Sequence, residues 1–451
     1  MLYAILKLIY KIGLWIFFRR FEVHNRHLMP DGGPLLVVSN HPNTFMDPIV
    51  TASLLRQPVY FIAKSTVFGS DFQNWMLRQM HLIPIHRRED NPGKPVSNEE
   101  AFSASFEALR QYKTLLIFPE GNSFNQRRLR KVKTGTARIA LGAEATGVKG
   151  LKILPVGLNY SAPTRFHSDV FVNVGEPILV ADYATAHRQD GQEAVLALTE
   201  EIRKRLEQLI IHTPTDEEDE MARQVEAIYK ERLAAAAPSD IPAHIQDFLL
   251  TKAIVSGINY FSQREPERVA ALKEKLSSYM LQLRRLRLKD EIMGLRRKTV
   301  LWRSVLRVLY LALGLPVYAY GLLHNYLPYI IPSKVARAAT REHEWYAPIM
   351  LTAGIFTFPL FYLLEAWLAQ ELLHLSWSWT AVYFLTLPLS GFFTLHYWNT
   401  LQHTQEHWLL LRLFVKRRAL VKSLRLQREE IMAELEAAKE EYLAQANRGL
   451  Q

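Results

Sequence analysis

The stretch Pro34-Leu-Leu-Val-Val-Ser39 decides the fold class of this chain. It is apolar and β-branched almost throughout, which is typical of a strand buried on both faces of a sheet. Four further runs between residues 34 and 212 share this character: 59–63, 115–118, 153–157 and 170–174. Helical spacing separates some of them, at 98–112 and 134–145. This alternation predicts an α/β domain with a mixed, mostly buried sheet covered by helices, whose functional residues lie in loops at strand ends.

Composition excludes a disordered chain and narrows the class of partner. Of the 451 residues, 49% are apolar and 11% aromatic, which is enough to build more than one compact core. The 55 Lys and Arg outnumber the 44 Asp and Glu, giving a net charge of +11. Such an excess suits a nucleic acid, an anionic membrane or a phosphorylated substrate. The absence of cysteine excludes a thiolate nucleophile and a Cys-ligated zinc site.

The first 20 residues predict a membrane-anchor helix. Residues 1–18 are apolar except for Lys7 and Lys11, and Arg19-Arg20 follow. No small-residue cleavage site is present, and the stretch is short for a bilayer span. We therefore expect an amphipathic helix in the plane of the membrane, with a buried core helix as the alternative.

Two uncharged segments, 347–364 and 375–395, predict a transmembrane hairpin. Basic residues lie on both outer flanks, whereas residues 365–374 between the segments carry only acidic charges. The positive-inside rule therefore places both flanks, and the α/β domain, in the cytosol. Residues 308–331 are also apolar, but Pro316 and Pro328 interrupt them, so we expect an interfacial or re-entrant segment there. A pair of core helices is the alternative for 347–395.

Charged helices flank the apolar region on both sides. Apolar residues recur at alternating steps of three and four from Val269 to Leu286 and again from Leu420 to Tyr442, which is a heptad-like seam. The two helices are expected either to pack antiparallel, within one chain or between copies, or to pack separately on the α/β domain. The predicted division of the chain is 1–20 (anchor helix), 21–212 (α/β domain), 213–300 (charged helical region), 301–400 (membrane region) and 401–451 (amphipathic C-terminal helix).

A histidine and an aspartate lie together just after the first buried strand. In Ser39-Asn-His-Pro-Asn-Thr-Phe-Met-Asp-Pro48, His41 precedes Asp47 by six positions. A carboxylate at this spacing can orient an imidazole that takes up a proton. Taken alone, the pair is weak evidence for catalysis, because a His-Asp pair more often caps a loop.

Two further strand ends carry polar and basic residues. Phe118-Pro-Glu-Gly-Asn-Ser123 follows the third strand, and basic residues from Arg127 to Lys133 come next. Ile83-Pro-Ile-His-Arg-Arg88 ends another strand with paired guanidinium groups, which suit bidentate phosphate contacts. Each stretch alone is typical of an ordinary surface turn.

In this order the motifs of residues 20–212 resemble the PlsC-like glycerolipid acyltransferase family. His41 and Asp47 resemble its catalytic pair, and Lys133-Thr-Gly135 matches the Lys-x-Gly after its third block. The resemblance implies an acyl-donor region at Pro155 and Val156. It also implies a phosphate-binding set composed of Arg87, Arg88, Glu120, Gly121, Asn122, Ser123, Arg127 and Arg128.

Two departures from the family's usual pattern refine the resemblance. The His-Asp loop has one residue more than usual, and Asn122-Ser123 stand where the third block normally reads Thr-Arg. Together with the predicted hairpin, these features look most similar to the fungal-type glycerol-3-phosphate and dihydroxyacetone-phosphate acyltransferases. Arg127 or Arg128 is then expected to replace the missing arginine.

The resemblance implies an integral membrane acyltransferase of phospholipid biosynthesis. It would transfer a fatty acyl group from an acyl-coenzyme A or acyl-carrier-protein thioester to glycerol 3-phosphate or lysophosphatidate, without a bound cofactor. His41 would deprotonate the acceptor hydroxyl while Asp47 orients it. The partners implied are membrane lipid, the thioester donor and the phosphorylated glycerol acceptor.

Three other interpretations are less consistent with the sequence. An inactive membrane scaffold that binds partners through its helical seam would not need His41, Asp47 and Glu120 together. A nucleic-acid binder should carry one continuous basic stripe, whereas the charge here lies at membrane flanks and motif loops. A metal site is not expected because no second histidine lies at ligand spacing near His41.

Overall fold

A computed structural model of the chain describes residues 2–86, 98–236, 243–294 and 297–448. The chain divides into two compact units. The first contains Met1–His212 and Pro332–Ile355, and the second contains Thr213–Ile331 and Phe356–Gln451.

The first unit is built on one mixed sheet, as the sequence predicts. Among the described residues the sheet has eight strands: β1 (Arg20–His24), β2 (Leu35–Ser39), β3 (Val59–Lys64), β4 (Leu82–Ile85), β5 (Thr114–Ile117), β6 (Lys152–Tyr160), β7 (Asp169–Val174) and β8 (Ile178–Leu179). Their order is β1-β7-β6-β2-β5-β3-β4, with β8 pairing to β6. The β6 pairings with β7 and β8 are antiparallel, and the other pairings are parallel.

Strand β2 lies at the centre of this sheet because it is apolar on both faces. Leu35 pairs with Thr114 of β5 on one side and with Lys152 of β6 on the other. Leu36 and Val38 point into one hydrophobic core, and their neighbours along β2 point into the opposite core. Alternate side chains of a strand face opposite sides of the sheet, so a central strand must be apolar throughout.

Helices cover both faces of the sheet. In the described part of the first unit they are α1 (Leu2–Phe17), α2 (Met46–Leu54), α3 (Asp71–Gln79), α4 (Glu99–Arg110), α5 (Gly135–Ala145), α6 (Ala184–Gln189) and α7 (Gly191–Leu209). One core contains side chains of α4, α5 and α7, and the other contains side chains of α1 and α2. Burying apolar side chains on both faces supplies the main driving force for this arrangement.

Helix α1 presents two different faces. Leu14 and Phe17 are buried in the core beside α2, whereas Ile5, Leu8 and Trp15 on the other side are exposed. One apolar face of α1 is therefore covered by protein, and another apolar face is exposed. It is 16 residues long.

The second unit is helical throughout its described residues. Its helices, two of which extend into the first unit, are α8 (Asp216–Ala236), α9 (Ala243–Arg264), α10 (Pro266–Leu286), α11 (Asp290–Met293), α12 (Arg297–Ala339), α13 (Tyr346–Leu373), α14 (Trp377–Lys416) and α15 (Arg418–Arg448).

Helices α10 and α15 pack against each other in antiparallel orientation. Arg268 binds Glu441 at 2.8 Å, and Lys275 forms an ion pair with Glu434 one heptad further along. Leu276 and Leu424 are fully buried in the seam region. Of the two arrangements that the heptad spacing left open, the structure has the antiparallel pair within one chain.

Three helices are long and apolar enough to cross a membrane: Ser304–Ala339, His343–Leu373 and Trp377–Val415, among the residues described. The second contains the predicted span 347–364, and the third contains the predicted span 375–395 except for its first two residues. The first differs from the expected interfacial or re-entrant segment 308–331, because α12 runs without a break through Pro316 and Pro328. A proline removes one helical hydrogen bond and bends a helix, but packing against neighbouring helices can preserve the helix on both sides.

Candidate functional site

The first and third sequence motifs lie side by side at one edge of the sheet. His41 follows β2, and Glu120 follows β5, which is the parallel neighbour of β2. The carboxyl ends of adjacent parallel strands meet at the same edge. We call residues 40–47 the first loop and residues 118–130 the second loop.

His41 and Asp47 form a hydrogen-bonded pair within the first loop. His41 Nδ1 lies 2.8 Å from Asp47 Oδ2. The imidazole ring also stacks on Phe118 of the second loop, with ring centroids 4.0 Å apart and planes 14° from parallel. Because Nδ1 is held by the carboxylate and one ring face is covered, Nε2 is the nitrogen available to a reacting group.

Asp47 is completely buried at the start of α2, and three groups donate to its carboxylate. Besides His41, the backbone N–H of Asn43 donates to Oδ2 at 2.7 Å, and the Tyr160 hydroxyl donates to Oδ1 at 2.8 Å. Burial raises the pKa of Asp47, and these hydrogen bonds oppose the rise because they favour the ionised form. The carboxylate is thus fixed in one orientation towards the imidazole.

Glu120 joins the two loops rather than facing a substrate. Its Oε1 accepts the backbone N–H of His41 at 2.8 Å, and its Oε2 accepts the backbone N–H of Arg130 at 3.0 Å. The side chain is buried, and burial raises the pKa of its carboxyl group. Phe124 adds another hydrogen bond between the two loops, since its N–H donates to the His41 carbonyl at 3.0 Å.

Gly121 allows a lysine to lie over the second loop. Its φ is +80°, and a Cβ built there would come within 2.8 Å of Lys133 Nζ. Only glycine adopts this backbone region without strain and leaves the space for the lysine stem. Lys133 N–H donates to the Pro119 carbonyl at 2.9 Å, which fixes the end of the basic stretch to the start of the loop.

A large cavity lies beside His41. It has a volume of about 1200 Å³ and is lined mainly by apolar residues of α1, α2 and β3. His41, Asn122 and Ser123 lie on its polar side, and Leu6, Tyr10, Ile49, Phe61 and Ile349 are among its apolar lining residues. A cavity with apolar walls and a few converging polar groups is typical of a small-molecule site.

The structure distributes the predicted phosphate-binding residues unevenly. Asn122 and Ser123 line the cavity, whereas Arg127 and Arg128 do not. Glu120 and Gly121 do not line the cavity either, and they shape the second loop. Arg87 and Arg88 lie outside the residues that the structure describes.

The predicted acyl-donor residues lie within the sheet. Pro155 and Val156 pair with Val38 and Ser39 of β2, and both are buried. Neither lines the cavity. Their position supports β2 and the first loop from the neighbouring strand.

Sequence reasoning missed Tyr160 and Phe118 as members of this site. Tyr160 is at the last position of β6, which is adjacent to β2, so the shared strand edge was the available signal. Phe118 opens the second loop, and nothing in a single aromatic residue predicts stacking on a histidine. In the described residues no group of three or more His, Asp and Glu could hold a metal ion.

Known proteins match parts of this chain. The family profile described as Acyltransferase matches residues 20–159. An uncharacterized acyltransferase of Schizosaccharomyces pombe is 24% identical over 411 residues, covering 68% of this chain and 59% of that protein. Glycerol-3-phosphate O-acyltransferase 1 of Saccharomyces cerevisiae is 29% identical over 194 residues, covering 42% and 24% of the two chains.

Two further matches have the same pattern of partial coverage. Glycerol-3-phosphate O-acyltransferase 2 of Saccharomyces cerevisiae is 28% identical, over 45% of this chain and 26% of that protein. The crystal structure of PlsC, the 1-acyl-sn-glycerophosphate acyltransferase of Thermotoga maritima, aligns with 44% of this chain and 80% of its own, at 23% identity and a TM-score of 0.31.

The chain spans between about a quarter and three fifths of the length of these fungal relatives. The residues that the family profile matches, 20–159, include both loops, which bear His41 and Glu120. Residues 20–159 therefore match the Acyltransferase family, and these relatives support the resemblance to the PlsC-like glycerolipid acyltransferases.

Proposed function

We propose that this chain transfers a fatty acyl group from an acyl thioester to a hydroxyl group of a glycerol phosphate at a membrane surface. The observation that carries the proposal is the 2.8 Å bond between His41 Nδ1 and Asp47, formed beside a large apolar cavity. It provides an oriented base next to a space that fits an acyl chain. The matching relatives whose names state glycerol-3-phosphate O-acyltransferase activity support the same reaction class.

His41 acts as the general base in this proposal. Its Nε2 takes the proton of the acceptor hydroxyl while the oxygen attacks the thioester carbonyl carbon. The carbon–sulfur bond then breaks, and the proton on Nε2 passes to the departing thiolate. Asp47 stays ionised throughout, holds the ring in the required tautomer and stabilises its positive charge.

The cavity supplies the binding site for the acyl chain. Its volume of about 1200 Å³ and its apolar walls on α1, α2 and β3 suit an alkyl chain, whose transfer from water is favourable by about 0.8 kcal/mol per methylene. Holding the thioester and the acceptor together supplies much of the rate, because both reactants are oriented before the reaction. The donor is an acyl-coenzyme A or an acyl-carrier-protein thioester.

The acceptor is sn-glycerol 3-phosphate in preference to lysophosphatidate. Ser123 and Asn122 on the polar side of the cavity provide donors for the phosphate. Arg127 and Arg128 are proposed to approach the acceptor from the second loop. Arg87 and Arg88, which follow β4 in the sequence, are proposed as further phosphate-binding residues on the resemblance alone. Glu120 and Gly121 are proposed to position the loop, and Pro155 and Val156 to support the first loop from β6.

The membrane association follows from the apolar helices. We propose that α13 and α14 cross as a hairpin with both flanks in the cytosol, because basic residues lie at both outer ends. The antiparallel pairing of α10 with α15 supports an even number of crossings between these two helices, which argues against three. The exposed Ile5, Leu8 and Trp15 of α1 would then insert into the interface beside the cavity.

An inactive scaffold is the less favoured function. A scaffold has no need for a buried carboxylate that receives three hydrogen bonds and faces an imidazole, since burying such a charge is costly. The assembled pair of His41 and Asp47 therefore supports the enzyme.

An assay with several acceptors tests the proposal. Membranes containing the chain are given a radiolabelled acyl-coenzyme A with glycerol 3-phosphate, dihydroxyacetone phosphate or lysophosphatidate in parallel. The expected result is a labelled product that is largest with glycerol 3-phosphate. Transfer to none of the three, with acyl-carrier-protein thioester also tried as donor, would reject the enzyme and leave the scaffold.

A further inference from the structure

The connector between α12 and α13 reaches the loop that carries the catalytic pair. We use "connector" for residues 340–345. Thr44 Oγ1 of the first loop donates to the Glu344 carbonyl at 2.6 Å. The rings of Phe45 and Trp345 meet edge to face with centroids 4.9 Å apart. The connector therefore holds the first loop at two adjacent positions.

The residue that makes this hydrogen bond lies in the middle of the first loop. Five residues separate His41 from Asp47, and Thr44 in the middle has a φ of +30°. A non-glycine residue with positive φ is strained and persists only where its surroundings hold it. The hydrogen bond from Thr44 to the connector is one such contact.

Glu344 also contacts the second loop, through its side chain. Its Oε2 lies 3.4 Å from Ser123 Oγ, and its Oε1 lies 3.3 Å from the backbone nitrogen of Asn125. A hydroxyl and an N–H thus converge on the two oxygens of one carboxylate. The same two donors converge equally well on two oxygens of a phosphate monoester.

We propose that Glu344 is a specificity-determining residue whose carboxylate occupies the position of the acceptor's phosphate. This inference rests on the proposed acyl transfer to a glycerol phosphate and deepens it. The acceptor must displace the carboxylate from Ser123 and Asn125 before its hydroxyl can reach His41. A phosphate does so because it carries more charge and more acceptor oxygens than a carboxylate.

The geometry of the two contacts suits displacement. Distances of 3.3 and 3.4 Å are longer than the usual range for hydrogen bonds, so both contacts are weak. Charge-assisted bonds to a phosphate are shorter and stronger. An uncharged alcohol such as glycerol offers no anion for these donors and leaves Glu344 in place.

Arg341 is placed to favour the exchange. It lies in the same connector, lines the cavity and is exposed. No carboxylate in the described part of the chain forms an ion pair with it within 4.0 Å. Its guanidinium group can therefore contact an incoming phosphate that has replaced Glu344.

Substitution of Glu344→Gln tests this role. The amide retains the size of the side chain but not its charge, and the backbone carbonyl that binds Thr44 is unchanged. The expected result is a KM for glycerol 3-phosphate that falls about threefold to tenfold, with kcat within about twofold, because a competing occupant has been weakened. Glu344→Asp, whose side chain is one methylene shorter, should also lower the KM for glycerol 3-phosphate.

Glu342→Gln is the matched control. Glu342 lies in the same connector, but its carboxylate accepts Trp345 Nε1–H at 2.9 Å, and none of its contacts in the described residues reaches the second loop. It removes the same charge from the same segment. We expect it to leave the KM for glycerol 3-phosphate unchanged.

A binding measurement separates this inference from the proposed function. Thermal unfolding of the full chain in detergent micelles is followed while inorganic phosphate is titrated. Half-maximal stabilisation should need about threefold to tenfold less phosphate in Glu344→Gln than in the unchanged chain. This shift without transfer to any acceptor would reject the proposed function and keep the phosphate position.

Other outcomes overturn the inference itself. A KM that is unchanged or increased in Glu344→Gln, together with an unchanged phosphate midpoint, would make Glu344 a structural brace. A fall in kcat alone would lead to the same conclusion. If Glu342→Gln changes the KM and the phosphate midpoint as much as Glu344→Gln does, the effect comes from the net charge of the connector and not from the position of Glu344.

Discussion

The carboxylate of Glu120 accepts the backbone N–H of His41 at 2.8 Å. The histidine is therefore held at two points, by Asp47 through its ring and by Glu120 through its main chain. The second loop thus helps to fix the position of His41 at the edge of the sheet. The sequence motif predicts that Glu120 binds the acceptor phosphate. We propose instead that Glu120 positions the base, His41.

Replacing Glu120→Gln should lower kcat more than it changes KM. An amide keeps one acceptor but directs an N–H₂ group towards a backbone N–H, so one of the two loop contacts is lost. We expect kcat to fall about tenfold to a hundredfold and the acceptor KM to change little, because misplacing a base by a fraction of an ångström is costly. Steady-state kinetics measures both values.

Glu176→Gln provides the comparison for that experiment, since its side chain is 74% exposed. It should behave like the unchanged chain. A Glu120→Gln enzyme with normal kcat and a raised acceptor KM would instead place Glu120 at the phosphate.

Removing the hydroxyl of Tyr160 should move the acid limb of the pH–rate profile to higher pH. The Tyr160 hydroxyl donates to Asp47 and favours its ionised form, so Tyr160→Phe raises further a pKa that burial has already raised. Protonated Asp47 no longer orients His41, and activity is therefore lost at a higher pH as the solution is acidified. The profile of kcat/KM against pH records the limb.

Tyr112→Phe, at an exposed tyrosine outside the site, should leave the limb in place. Movement of the limb to lower pH in Tyr160→Phe would contradict the assigned hydrogen bond.

The central strands and both motif loops could be predicted because their residues are neighbours in sequence. Leu35 to Ser39 is apolar at every position except the last, and such a run has few other stable placements. Strand β1 was missed, since Arg20-Phe-Glu-Val-His24 alternates polar and apolar residues over only five positions. It forms the edge of the sheet, and none of its five residues is fully buried.

Contacts between distant parts of the chain could not be predicted. The Tyr160 hydroxyl meets Asp47 across 113 positions, and Glu344 meets Ser123 across 221. No periodicity in a single sequence records such a pair. Helix α12 is a second case in which the sequence was not sufficient. Pro316 and Pro328 predicted an interruption, but the helix continues through both.

Asp169 should contribute stability that is lost in acid. Burial alone would raise its pKa, but hydrogen bonds from Arg19 and Arg20 outweigh burial and lower the pKa from 3.8 to about 2. A depressed folded pKa means that the contribution is present above about pH 4 and disappears as the pH falls towards 2. Because both arginines are about half exposed, we expect Asp169→Asn to cost only about 1 kcal/mol at pH 7.

Urea unfolding in detergent micelles at pH 7 and near pH 2.5 checks this prediction. The difference between Asp169→Asn and the unchanged chain should shrink at the lower pH. Asp31→Asn, in a pair that is almost fully exposed, should show no difference at either pH. A constant cost of Asp169→Asn at both values would contradict the assignment to ionisation.

The proposed hairpin predicts opposite labelling of two introduced cysteines. The chain has no cysteine of its own, so each single variant reports one position. Lys149→Cys lies in an exposed turn of the α/β domain, and His374→Cys lies in the turn between α13 and α14. In sealed vesicles with the cytosolic face outward, a membrane-impermeant maleimide should label the first and not the second.

Permeabilisation should then make His374→Cys reactive. If both positions are labelled from the same face before permeabilisation, α13 and α14 do not cross the membrane as a hairpin.

The central claim is that His41 is the base of an acyl transfer, and the activity of His41→Ala tests it most directly. Acyl transfer to glycerol 3-phosphate is measured with membranes that contain equal amounts of the unchanged chain, His41→Ala and His27→Ala, the last at an exposed histidine. We predict a loss of at least a hundredfold in His41→Ala, in line with the usual size of general-base catalysis, and full activity in His27→Ala. Full activity in a correctly folded His41→Ala protein would contradict the account.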